Sequence, residues 1–216
     1  ETYLFISNMK RIYFDNASTT PVDEEVISAM LPYFCLRFGN ASSLHRSGLS
    51  AKSALDNSRE CIARKINAKA EEIIFTSGGS ESDNLAIKGI AYALRHKGNH
   101  IITSSIEHPA VLDSCKALEE EGFKVTYLRV DNNGFVDIEQ LESAITLKTI
   151  LVSIIHANNE IGTIQDIERI GKLCTRYNLI FHVDAVQSFT KTHIDVKKMN
   201  IGLLSFSAHK IHGPKG

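Results

Sequence analysis

An excess of charge of either sign is missing from this sequence: 24 Lys and Arg stand against 25 Asp and Glu, a formal net charge of -1 over 216 residues. No basic cluster interleaved with aromatics occurs, so nothing points to nucleic acid. A small anionic ligand has to be recognised locally, not through a global field. Cysteine is scarce. Cys35, Cys61, Cys115 and Cys174 lie far apart with no C-x-x-C pair, which argues against a disulfide framework and against a metal site. Three of the four fall on positions that read as helical and are expected to be small buried hydrophobes. No apolar run reaches the length of a membrane span. Residues 1–8 lack both a basic start and a long apolar core, so they do not read as a signal peptide. Met9 followed by Lys10 reads as a natural start, with residues 1–8 as extra sequence. Repeats, low-complexity tracts and an evident linker are absent as well. These absences, with 43% hydrophobic and 23% charged residues, suit a globular domain in a reducing, cytoplasmic setting with no membrane partner.

What is present is an alternation of helix-period and strand-like segments. Ala51, Leu55, Ile62 and Ile66 share one helical face, and Val111, Cys115 and Leu118 share another. Gly122 ends that second helix, and the alternating Phe123, Val125 and Tyr127 come after it. Asp131-Asn132-Asn133-Gly134 reads as a turn, and Asp137 with Gln140 has capping-box spacing. Residues 149–155 and 179–183 are short runs rich in Ile and Val. Between them Ile167, Ile170 and Cys174 form a helical face capped by Asp166. Strands separated by helices of this kind imply βαβ units in one α/β domain with a largely parallel sheet. Ligands of such folds gather at the carboxyl ends of the strands.

The loops at those ends carry residues of the right chemistry. Thr76-Ser77-Gly78-Gly79-Ser80 comes after the strand expected at residues 73–75 and opens a helix. Paired glycines, two serine hydroxyls and a helix start make a phosphate cup in outline, although a tight strand–turn–helix connection reads equally well. His108, between Glu107 and Pro109, lies beyond a strand at residues 100–104. A structural role is the plainer reading, yet an imidazole there can stack on a flat ring and exchange protons near neutral pH. Asp184 ends an apolar strand, where a carboxylate is costly unless a cation meets it; alone, it reads as a cap for the next segment. Lys210 lies just past the apolar strand at residues 203–206, where desolvation turns a lysine into a usable nucleophile. Each loop is weak evidence by itself; their joint occurrence at strand ends is not.

The residues Tyr13-Phe14-Asp15-Asn16-Ala17-Ser18-Thr19-Thr20-Pro21, Phe38-Gly39-Asn40-Ala41-Ser42-Ser43-Leu44-His45 and Phe75-Thr76-Ser77-Gly78-Gly79-Ser80-Glu81-Ser82-Asp83-Asn84 carry a resemblance that extends further. Glu107-His108-Pro109-Ala110-Val111-Leu112, His156-Ala157-Asn158-Asn159-Glu160-Ile161-Gly162, His182-Val183-Asp184-Ala185-Val186-Gln187-Ser188 and residues 205–216 complete it. The chain resembles the class V aminotransferases, pyridoxal-phosphate (PLP) enzymes of fold type I, and within them the cysteine desulfurases of the NifS/IscS type. The resemblance implies a PLP-binding large domain over residues 11–216, with a mostly parallel mixed sheet flanked by helices and residues 1–10 as an extension. It implies that Lys210 forms the internal aldimine, that His108 stacks on the ring and moves protons, and that Asp184 pairs with the pyridinium nitrogen. Gln187 then bonds the ring's phenolic oxygen, while Gly79, Ser80, Ser207 and His209 surround the phosphate. Asn159 lies by the ring and the substrate carboxylate.

The implied reaction converts L-cysteine to L-alanine and leaves a persulfide on an enzyme cysteine. The sulfur then goes to an iron–sulfur scaffold or another acceptor protein, and the implied assembly is a homodimer. Family members are about twice as long. The sequence therefore reads as truncated at the C-terminus: the small domain, the loop with the nucleophilic cysteine and a final strand that would leave a sheet edge exposed are expected to lie outside it. None of the four cysteines takes the sulfur-accepting role. Two other readings stand beside this one: a non-catalytic module that binds PLP or a partner, and another class V chemistry such as transamination.

Overall fold

A computed structural model describes residues 12–215; the proposed extension at residues 1–10 and the start at Met9 lie outside the described residues. The elements run α1 (Glu24–Cys35), α2 (Arg46–Ile66), α3 (Gly79–Leu94), β1 (His100–Ser104), α4 (Pro109–Glu120) and β2 (Lys124–Leu128). They continue as α5 (Ile138–Ala144), β3 (Thr149–Ile155), α6 (Ile167–Arg176), β4 (Ile180–Asp184) and β5 (Leu203–Ser205). The strands form one sheet in the order β2-β1-β3-β4-β5, and every pairing between them is parallel.

The central strand, β3, is buried along its whole length, as expected of a strand covered on both faces. Its alternate side chains enter two cores. Val152 and Ile154 join Ile102, Val183 and residues of α5 and α6, including Leu141 and Ile170. Leu151 faces the other way with Ile101 and meets Ile87 of α3 and Val111, Cys115 and Leu118 of α4. The sheet is therefore a middle layer, with α3 and α4 on one side and α5 and α6 on the other. No helix among the described residues is long and apolar enough to cross a membrane.

Local chemistry sets the element ends. Asp137 accepts from the N–H groups of Glu139 and Gln140 at the start of α5, and Asp166 accepts from Arg169 N at the start of α6. Such caps satisfy donors that have no partner within the helix. At Gly122 the backbone adopts φ +91°, a left-handed conformation that glycine takes without a Cβ clash. There the N–H of Phe123 donates to the carbonyl of Leu118, and the chain turns into β2.

Two expectations need correction. Residues 73–75 do not form a strand. Ile73 is buried, but Ile74 is 71% and Phe75 47% exposed, and among the described residues no strand pairs with them. A cavity of about 610 Å³, lined by Ile74 and Thr76 on one wall and Leu204 and Phe206 on another, separates them from β5. Without a hydrogen-bonding neighbour the β-favouring composition has nothing to pair with. β5 itself pairs only with β4 among the described strands. The cysteines also divide: all four lie in helices, but only Cys115 and Cys174 are buried, while Cys35 and Cys61 are exposed. Cys35 ends α1, a helix with no buried residue.

Because Ile154 is fully buried at the centre of the larger core, Ile154→Ala should cost about 2–5 kcal/mol. A fall in the urea midpoint at unchanged slope would show it; a loss under about 1 kcal/mol would remove β3 from the centre of the fold.

Candidate active site

Parallel strands deliver their carboxyl ends to the same edge of the sheet, and a cavity of about 520 Å³ opens there. Gly79 and Ser80 line it from the first turn of α3, His108 from the start of α4, Asn159 from the loop after β3, and Asp184, Gln187, Ser207, His209 and Lys210 from the ends of β4 and β5. Every residue singled out from the sequence for cofactor or substrate contact thus meets in one place.

The helix start comes close because residue 79 is glycine: a Cβ there would stand 2.8 Å from Val186 Cγ2. The first-turn N–H groups of such a helix lack internal partners and carry its partial positive charge. His108 is the N-cap of α4, its Nδ1 accepting from Ala110 N at 3.1 Å. The structural role and a place in the cavity are therefore compatible. Asp184 likewise has both suggested roles open to it: Oδ1 accepts from Val186 N at 2.9 Å, and the side chain lines the cavity while only 3% exposed. Burial raises its pKa, opposed first by the Val186 N–H and then by His108 and Lys210.

Lys210 ends a short 3₁₀ turn after β5. Its ammonium donates to the carbonyl of Ala17, which also accepts from Gln187 Nε2 at 2.7 Å. Partial burial lowers the lysine's pKa, and Lys191 adds to the effect against Asp15 and Asp184. The segment around Ala17 is stitched to the lysine loop: Thr20 N and Oγ1 both donate to the carbonyl of His209, at 2.9 and 2.8 Å. His212 N in turn donates to Thr20 Oγ1 at 2.8 Å.

The class-V aminotransferase family matches residues 12–216. This chain belongs to the class-V aminotransferase family. Among curated proteins, this class-V chain is similar to the cysteine desulfurase IscS of Clostridium botulinum, 56% identical over 207 residues, covering 96% of this chain and 52% of the relative. The cysteine desulfurase IscS of Methanosarcina thermophila is 55% identical over 207 residues, covering 96% and 51%. Among solved structures, SspA in complex with cysteine has a TM-score of 0.93 at 47% identity, over 95% of this chain and 59% of that one. A NifS-like protein has a TM-score of 0.93 at 42% identity, over 96% and 57%. The chain spans about half the length of the curated relatives it matches.

The cavity also contains residues to which the sequence assigned no role, among them Asp15, Ala17, Ser18 and Asp83. Asp83 had a readable signal, since it falls on the apolar face of α3 with Ala86, Ile87 and Ala91. Glu107 lies beneath, fully buried. Its Oε1 accepts from Ser104 Oγ at 2.5 Å and from Ile155 N at 2.9 Å, while Oε2 has no partner. Burial pushes Glu107 up to about 8 and Asp83 up to about 8, with Asp184 adding to both.

Those shifts have a sign in stability. Folded Asp83 and Glu107 keep protons that the unfolded chain has released above the ordinary carboxylate range, so stability falls as pH rises toward about 8. His182, pushed down to about 3 by burial, works in the opposite direction, but only below its ordinary value of 6.5. The urea midpoint of the cofactor-free full-length protein should therefore fall between pH 6.5 and about 8, and Asp83→Asn or Glu107→Gln should flatten that fall. A midpoint that is level or rising across the window contradicts the protonated state of both acids.

Proposed function

We propose that this chain is part of a PLP-dependent cysteine desulfurase, its residues 11–216 forming the incomplete large domain and residues 1–10 an extension. The observation that carries the reading is the convergence of an amine, a buried carboxylate, an imidazole and a helix start on one cavity: Lys210, Asp184, His108 and the first turn of α3. That donor set fits the cofactor group by group. Lys210 Nζ would hold it covalently, and its lowered pKa enlarges the share of neutral, nucleophilic amine. Asp184 would meet the ring nitrogen as a buried counter-ion, and Gln187 Nε2 would donate to the ring's phenolic oxygen. Gly79, Ser80, Ser207 and His209 would surround the phosphate, using the helix start as an anion site. When bound, PLP supplies the electron sink that stabilises negative charge at the α-carbon of the amino acid.

The chain's own residues then orient and move protons. With His108 Nδ1 accepting from Ala110 N, Nε2 is the atom free to exchange a proton beside the ring. Asn159 would lie by the substrate carboxylate. The substrate reading rests on relatives named cysteine desulfurase and on a similar structure holding cysteine. In the balanced reaction, L-cysteine and an enzyme thiol give L-alanine and an enzyme persulfide, whose outer sulfur passes to an iron–sulfur scaffold or another acceptor protein. That thiol is none of the four cysteines here. Cys115 and Cys174 are buried with their thiols pushed up to about 12, and no cysteine lines the cavity among the described residues. A homodimer in the cytoplasm completes the reading; α1, which buries nothing, and the exposed Phe34, Leu36, Phe38 and Leu44 support an interface there.

In the full-length protein, Lys210→Ala should remove the visible absorption band of the lysine-linked cofactor; a band that persists overturns the assignment of Lys210. Asp184→Ala should reduce alanine release from cysteine on the order of a hundredfold or more in a variant that still folds, its urea midpoint lowered only by the loss of the Val186 hydrogen bond. Unchanged alanine release would refute its electronic role, and turnover of other amino acids in preference to cysteine would replace desulfuration with another class V chemistry.

A further inference from the structure

His182 and Asp184 are two residues apart on β4, so both side chains point to the same face of the sheet. That face is the one covered by α3, which places Asp83 over them. Asp83 is 1% exposed, and its Oδ1 has no hydrogen-bond partner. The nearest ring nitrogen, His182 Nε2, stands 3.6 Å away. That ring is already engaged, Nδ1 with Ser153 Oγ at 2.8 Å and Nε2 with Ser205 Oγ at 3.0 Å, and burial keeps it neutral. A carboxylate in such a place has neither a cation nor a committed N–H donor, and its ionised form is costly. Asp184, by contrast, has the Val186 N–H at 2.9 Å and faces His108 and Lys210. Glu107 is the remaining buried acid among the described residues, and it too has one oxygen unpartnered; Asp15 and Glu160 line the same cavity but are exposed.

We propose that Asp83 is a positioning residue for Asp184: it stays a neutral acid in the cavity wall, so that of these two buried aspartates only Asp184 carries the negative charge a cationic ring atom would meet. Neighbouring buried carboxyls do not all ionise, and the asymmetry of donors decides which one does. Asp184 takes the charge because it has the Val186 amide donor and the fields of His108 and Lys210; Asp83 keeps the proton because the Ser205 hydroxyl and the neutral His182 ring are all that face it. The inference rests on the PLP reading only for what the charge pairs with. The protonation of Asp83 belongs to the chain itself and is measurable without any turnover.

The test uses the full-length protein with aspartate carboxyl carbons labelled with carbon-13, observed by NMR through a pH titration. One aspartate should remain protonated at neutral pH and titrate near 8, and its signal should vanish in Asp83→Asn. In Asp184→Asn the same midpoint should drop by about one unit, because a like charge has been removed; an acid protonated only because it is buried would not move. A midpoint unmoved by Asp184→Asn overturns the positioning role. Should Asp83→Asn fail to fold, the parent protein still decides, since a spectrum with every aspartate ionised at neutral pH overturns the proposal. Retention of the cofactor band by Lys210→Ala would defeat the cofactor reading while leaving this titration as it stands.

Discussion

The parallel pairing of β3 with β4, which sets Ile155 beside Asp184, and of β4 with β5, which sets Asp184 beside Ser205, is the constraint on which the rest depends. Parallel strands need crossover connections, and those crossovers place the helices on the two faces. They also send every strand in one direction, so each loop beyond a strand emerges at the same edge. Asn159, Gln187 and Lys210 meet because of that direction, not because any pair of them attracts. A register slip of one residue in β4 would turn Asp184 toward the α5 and α6 side and place Val183 in its position. The hydrophobic alternation of Phe181 and Val183 with His182 and Asp184 fixes the register against such a slip.

Hydrogen bonds between residues distant in sequence finish the site. Ala17 accepts from Gln187 and Lys210, and Thr20 bonds the carbonyl of His209, 189 residues away. Nothing in the composition of residues 13–21 announces this contact; its chemistry is a row of backbone carbonyls and small hydroxyls. Its effect is to hold the backbone of the lysine loop at His209 and His212. The lysine amine thereby has a partner that gives up little when the amine turns elsewhere, since the carbonyl keeps its bond from Gln187.

Much of this was legible in the sequence wherever local chemistry and tertiary demand agree. Residues 149–155 read as a buried strand and are one, and Asp137, Asp166 and Gly122 mark element ends where they were expected. The glycine loop, His108, Asp184 and Lys210 were legible because strand ends in an α/β fold leave few places to look, whereas Asn159, Gln187, Ser207 and His209 came only from the family resemblance; all of them line one cavity. Residues 73–75 misled because strand propensity describes a segment fit to pair, and a pair needs a neighbour. The cysteine expectation failed for a similar reason: burial depends on what a helix face packs against, α1 buries no residue, and α2 buries Gly48, Ala63 and Ile66 while leaving Cys61 exposed. Asp83 was visible as an acid on an apolar helical face, but its meaning required knowing which strand residues lie beneath that face.

The buried acids show how function and stability pull against each other in this fold. A well-packed apolar residue at position 83 or 107 would remove an unpartnered oxygen and the pH-dependent loss of stability that accompanies it. It would also change the electrostatics around Asp184, because a neutral acid remains polar and can still reorient or release its proton, whereas a hydrocarbon offers neither response. Retaining Asp83 and Glu107 as acids therefore costs folding free energy and leaves a polarisable surround for Asp184 in the cavity wall. Destabilising features of this kind gather at functional sites because the surrounding structure over-determines them. Here that surrounding structure is the continuous core of Ile101, Leu151, Ile87 and Val111, packed on the same face of the sheet as the acids it supports.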